Sequence, residues 1–155
     1  MRKIAKFAIP ALAGALALIA TAAPAHASIN STCDSAYHSC TISENMGSGF
    51  CSATIYQSNS SGADDPTGEF AKADYTDYDT GYSCHFWVER DVNWTGWYQI
   101  GGTTSLASSG SAATGATSAN YWDDGFDGYM AEVCLQFDWG SSLGAAHCSE
   151  YVTYG

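Results

Sequence analysis

Positive charge is what this chain has least of. Five Lys and Arg stand against sixteen Asp and Glu, and three of the five (Arg2, Lys3 and Lys6) lie at the N-terminus. After residue 27 only Lys72 and Arg90 remain against all sixteen acids, a net charge of −14. Nucleic acid and anionic membranes repel such a surface, so neither is an expected partner. The charge either serves solubility or attracts a basic partner. Proline is scarce too, with only Pro66 after residue 27. Also missing are the CxxC pairs of a zinc ribbon and the HExxH of a zincin. No glycine-rich turn is joined to a Lys or a helix start, so a phosphate cradle is not expected. No catalytic residue and no cofactor is predicted.

What is present starts with a leader. Residues 7–23 are almost wholly apolar, follow a basic start and end near Ala25-His26-Ala27, a small-x-small cleavage site. The pattern is that of a secretory signal peptide covering residues 1–27. Pro10, Gly14 and Pro24 interrupt it, and its clean length falls short of the ~20 residues of a spanning helix. The predicted product is extracellular and carries no membrane segment after cleavage. All six cysteines (Cys33, Cys40, Cys51, Cys84, Cys134 and Cys148) lie beyond the leader. An even count in a small exported domain predicts three disulfides, for which 15 connectivities exist.

Alternation then gives the fold class. Over residues 129–139 every second residue is apolar: Tyr129, Ala131, Val133, Leu135, Phe137 and Trp139. That period marks a strand with one buried face, and the turn at residues 140–142 lets residues 145–152 return beside it. Residues 81–90 alternate likewise, with Cys84, Phe86 and Val88 inward and His85, Trp87 and Glu89 outward. Residues 97–100 pair back after a turn, and residues 51–57 form another strand. Residues 69–73 read as a short strand, residues 74–81 as an acidic loop or edge, and residues 101–119 as a loop or one weak edge strand. Residues 28–50 show little periodicity and read as an irregular arm, a strap or a segment that docks into a partner. The whole reads as an all-β, disulfide-stapled antiparallel sandwich, immunoglobulin-like, over residues 51–155. Parity of the strand faces pairs Cys51 with Cys84 through the core and Cys134 with Cys148 across the hairpin, leaving Cys33 to Cys40.

Two kinds of binding residue stand out. Trp87 lies on a polar strand face, Trp94 in a turn and Trp122 before an acidic loop; such rings stack on sugars, anchor protein interfaces or cover a sheet edge. Asp123, Asp124 and Asp127 lie in a Gly-containing loop and are the candidate calcium ligands, although the EF-hand spacing is absent. His85 and His147 read as ordinary strand residues beside cysteines.

The segments CHFWVER, WYQI, YWDDG, AEVCLQF and AHCS, spread over residues 81–152, carry a resemblance. Together they resemble a group of small secreted actinobacterial cysteine-rich β proteins, mostly of unknown function, with a C-x-x-W-x-E-R segment and a V-C-x-Q-F strand. Size, export, cysteine-rich β character and an N-terminal arm also resemble the small adaptor subunit of secreted umbrella toxin particles. That resemblance implies a bridge between a lectin-like subunit and a repeat-bearing toxin chain, and assigns no site residue. The turn at residues 91–97 resembles the Asp-box hairpin of sialidase-type repeats, a structural element, without its Ser and its Gly spacing. The expected function is non-enzymatic binding of another secreted protein. A carbohydrate-binding module using the Trp residues is the alternative, and an extracellular enzyme inhibitor the next.

Overall fold

The computed structural model describes residues 28–34, 38–47, 49–59, 61, 63, 70–78, 80–109, 111–117, 121–122 and 129–152. Residues 1–27, read as a leader, and the candidate calcium ligands Asp123, Asp124 and Asp127 lie outside these residues. Ten strands follow in order: β1 (Ser28–Asp34), β2 (Ser39–Met46), β3 (Gly49–Ser58), β4 (Phe70–Tyr78), β5 (Thr80–Val92), β6 (Tyr98–Ser109), β7 (Ala113–Ala116), β8 (Tyr121–Trp122), β9 (Tyr129–Asp138) and β10 (Leu143–Cys148). One sheet runs β1-β2-β3-β4-β7 with β8 also on β4, the other β10-β9-β5-β6, and every pairing is antiparallel.

The two sheets bury their alternating faces against each other. Ile42, Ala53, Ile55, Ala73 and Tyr75 come from the first sheet, and Phe86, Val88, Val133, Leu135 and Phe137 from the second. Tyr75 stacks on Phe86 across the interface, ring centroids 4.9 Å apart, which adds orientation to area burial. Cys51 and Cys84, both fully buried, join β3 to β5. Cys134 and Cys148 stand directly opposite on β9 and β10, and Cys33 and Cys40 on β1 and β2. The sandwich, the two pairings read from strand parity and the third left by elimination are therefore those expected. The turn pairs Leu143 with Asp138, and the bulge between Leu143 and Ala146 shifts the ladder by one residue, which brings Cys148 opposite Cys134.

Three expectations need correction. Residues 28–50 are not an irregular arm: β1 and β2 form a regular hairpin, and Cys40 and Ile42 belong to the core. The acidic run after residue 73 is not a loop but the second half of β4, central in its sheet. Its Asp77 is fully buried and accepts a 3.1 Å hydrogen bond from Ser108 Oγ, so a carboxylate is accommodated on the inner face of the strand. The Gly/Ser/Thr run after residue 100, expected as a loop or one weak edge strand, forms two edge strands, β6 and β7.

Candidate functional site

One end of the sandwich gathers the β5–β6 turn, His38 just before β2 and the segment after β10. The turn is built by Asp91, whose carboxylate accepts from the backbone N–H of Thr95 (2.9 Å) and of Gly96 (3.2 Å). Thr95 Oγ1 donates to the Val92 carbonyl at 2.7 Å. These bonds hold Asn93 and Trp94 at φ of +55° and +59°, the left-handed region that bulky residues avoid. Trp94 is thereby pushed out of the fold and is 71 % exposed. Backbone strain of this sort persists only where the surroundings over-determine it, and it gathers at functional sites.

The segment after β10 reaches the same place by a long-range bridge. Ala131 and Val152 exchange backbone hydrogen bonds of 3.1 and 2.8 Å, which sets the neighbouring Tyr151 beside the turn. Tyr151 meets Trp94 edge-on at 6.5 Å and Trp97 at 6.2 Å, giving three exposed rings in one cluster. Tyr151 is also one wall of a groove of about 380 Å³. The Cys33–Cys40 disulfide and Val152 line it further, and Asp34, His38, Ser39 and Glu150 supply polar groups. His38 too has a positive φ, +44°, so all three left-handed non-glycine residues among those described fall on this end. Two carboxylates and an aromatic wall form an acceptor for a cationic side chain, through charge and through the ring face. Beside the groove, β1 is the edge of its sheet, and residues 29–34 are exposed along its whole length.

The outer face of the second sheet is different in kind. Trp87 stands in its middle with its Nε1–H donated to Glu89 Oε1 at 2.7 Å. His85 is fixed on both nitrogens, Nδ1 to Ser105 Oγ at 2.7 Å and Nε2 to Asp138 Oδ2 at 3.2 Å. The Gly140 backbone N–H, and after it His85, hold the Asp138 carboxyl below its ordinary range. Ser, His and Asp in one row are the members of a nucleophile relay. Here the serine sits exposed on the edge strand β6 and the row orients the imidazole on an open sheet face.

Glu89 and Glu132 are direct cross-strand partners on this face, with Cys134 and Cys148 beside them, one atom of each within 4.8 Å of the others. Both sulfurs are committed to a disulfide, which leaves two carboxylates against the six to eight oxygens that calcium takes. Burial, and then the charge of Glu89, push the Glu132 carboxyl up to about 7. Between the ordinary carboxylate range and pH 7, the folded chain holds a proton that the unfolded chain has released. Stability therefore falls as pH rises through that window and stays lowered above it. Glu132→Gln is expected to be more stable than the parent at pH 8 by roughly 1–2 kcal/mol after solvent screening, with the gap closing at pH 5. Urea unfolding at the two pH values measures this; parallel pH profiles would count against it.

Of the residues singled out in the sequence, Trp94 falls in the end cluster and Trp87 on the outer sheet face, so they serve different surfaces. Trp122 pairs with Phe70 through its backbone in β8. The calcium candidates Asp123, Asp124 and Asp127 lie outside the described residues. Sequence reading missed Trp97, Tyr151, Asp34, His38 and Glu150. The only local signal for any of them was the second Trp of the N-W-T-G-W turn. Comparison with family models, with curated proteins and with solved structures returns no match for this chain.

Proposed function

We propose that this chain is a secreted, non-enzymatic protein that binds another secreted protein as an adaptor or accessory subunit of an extracellular assembly. The observation that carries the reading is the continuity of the Trp94, Trp97 and Tyr151 rings with a groove flanked by Asp34 and Glu150. Trp and Tyr dominate binding hot spots because they bury large areas at small entropic cost. With Lys72 and Arg90 the only bases after residue 27, the chain attracts a partner of opposite charge. The occupant is a Lys- or Arg-bearing segment whose cation enters the groove. The exposed β1 edge offers its backbone to the same segment by strand addition. Three disulfides and the leader-like pattern of residues 1–27 support an encounter outside the cell.

The test is capture of co-secreted proteins on the immobilised mature chain, followed by titration with the captured protein in pure form. Saturable binding that weakens with salt is expected, and the double variant Asp34→Lys, Glu150→Lys should bind at least about tenfold more weakly. Recovery of the chain only as a monomer, or a partner indifferent to both reversals, would overturn the proposal.

A further inference from the structure

The outer face of the β10-β9-β5-β6 sheet takes no part in the groove, yet its side chains are arranged with more order than a solvated surface requires. A shallow cavity of about 430 Å³ lies over Trp87, within the range of small-molecule sites. His85, Gln99, Thr103 and Gln136 line it with polar groups, and Leu143, 58 % exposed, closes one side.

Each polar group is held in place. The His85 ring is fixed by Ser105 and Asp138 as described. Gln136 Nε2 donates to the Gly144 carbonyl at 2.9 Å, and Gln99 Nε2 to Thr103 Oγ1 at 3.1 Å. Each of these bonds engages one amide N–H and leaves the amide oxygen and the second N–H for a ligand. Trp87 is fixed by Glu89 through its N–H, so what it offers the cavity is ring.

Trp87 is half-buried, and a backbone irregularity opens the sheet beside its ring. On β6 the register slips between the Phe86–Thr104 and Val88–Ile100 pairs, so Gly101, Gly102 and Thr103 together oppose Trp87. Gly101 has a φ of +69°, and a Cβ on Gly102 would meet nothing within 4 Å, so the sheet beside Trp87 is open. Two consecutive residues without side chains leave the indole uncovered from this strand.

We infer that this face is a second site, independent of the groove, which binds a neutral pyranose residue of a glycan by stacking it on Trp87. The C–H face of a pyranose matches an indole plane, and vicinal hydroxyls match side-chain amides and imidazole that both donate and accept. Neutrality follows from the surroundings. Glu89, Glu132 and Asp138 lie on the same face, and among the described residues no Lys or Arg is placed with them, only His85 beside Asp138, so uronic and sialic acids are disfavoured.

The experiment is titration of the mature chain with neutral and acidic oligosaccharides, followed by tryptophan emission, calorimetry and side-chain amide NMR. At least one neutral oligosaccharide is expected to bind, to shift the emission and to move the Gln99 and Gln136 side-chain resonances. Trp87→Ala should weaken that binding more than tenfold, and Gln136→Ala, which spares the indole, should weaken it several-fold. Trp94→Ala should leave it unchanged, and Trp87→Ala should still bind the protein partner, so failure of one site is distinguishable from failure of the other. The inference falls if no neutral sugar binds, if acidic sugars bind better, if binding survives both variants, or if the sugar is turned over.

Discussion

Replacing Cys51 and Cys84 together by Ala is expected to lower the unfolding free energy by about 4 kcal/mol, the largest effect of removing any one of the three disulfides. The disulfide closes a 33-residue span, for which loss of loop entropy in the unfolded chain gives roughly 3.5–4 kcal/mol. It is also the bond that ties one sheet to the other, and both sulfurs are fully buried, so their removal leaves unfilled core volume as well. Domains of this size hold only about 5–15 kcal/mol in total, so the variant should unfold substantially at 37 °C. The Cys33–Cys40 bond closes a span of seven and joins an edge strand to its neighbour; its loss should lower stability by about 2 kcal/mol. Urea unfolding of the two double variants measures the difference. Equal effects would mean that the sandwich is held by the packing of its faces alone, with no special dependence on the inter-sheet bond.

Trp94→Gly should separate binding from stability. Trp94 occupies a left-handed backbone position, where a bulky residue is disfavoured by about 1–2 kcal/mol and glycine is not. Its ring is 71 % exposed, and its contact with Tyr151 is edge-on, of the order of 1 kcal/mol. Relief of strain, loss of that contact and the greater freedom of glycine in the unfolded chain nearly cancel. Net stability should therefore stay within about 1 kcal/mol of the parent. Affinity for the protein partner, by contrast, should fall about 30- to 1000-fold, the range for removing an aromatic anchor. A variant that binds as before but unfolds 2 kcal/mol more easily would make Trp94 a structural residue and remove it from the proposed interface.

How much of this was legible before any coordinates depended on what each strand buries. β9 and β5 alternate without interruption because their inner faces carry hydrophobes only, Val133, Leu135 and Phe137 against Phe86 and Val88. Their register fixes where Cys84, Cys134 and Cys148 point, which is why parity was enough to pair the cysteines. β2 was illegible because its inner face is Cys40, Ile42 and Glu44, and only Ile42 signals a core position. Burial pushes the Glu44 carboxyl up while His147 opposes it, and a charged residue on the buried face disguises the strand as an arm. β4 was cut short in the reading for the same reason, Asp77 standing on the face that Ala71, Ala73 and Tyr75 begin. β6 carries Gly, Thr and Ser where a strand would show branched or aromatic residues, and as an edge strand it is spared the need for them.

The candidate site followed the same division. Trp94 was visible from its position in a turn. Tyr151 could not be, since only the bridge between Ala131 and Val152, across twenty residues, brings it to the tryptophans. The groove needs Asp34 from β1 and Glu150 from the other end of the chain, a juxtaposition that no local pattern encodes. Trp87 was visible on the polar face of its strand, but the pair of glycines that opens the sheet beside it reads in the sequence as low complexity.

Zero-length carbodiimide coupling of the mature chain with its co-secreted proteins, read by mass spectrometry, tests the central claim most directly. Coupling of Asp34 or Glu150 to a lysine of one partner, abolished when both acids are replaced by Gln, is the expected result. Crosslinks confined to Glu89, Glu132 and Asp138, or none to any co-secreted chain, would contradict it.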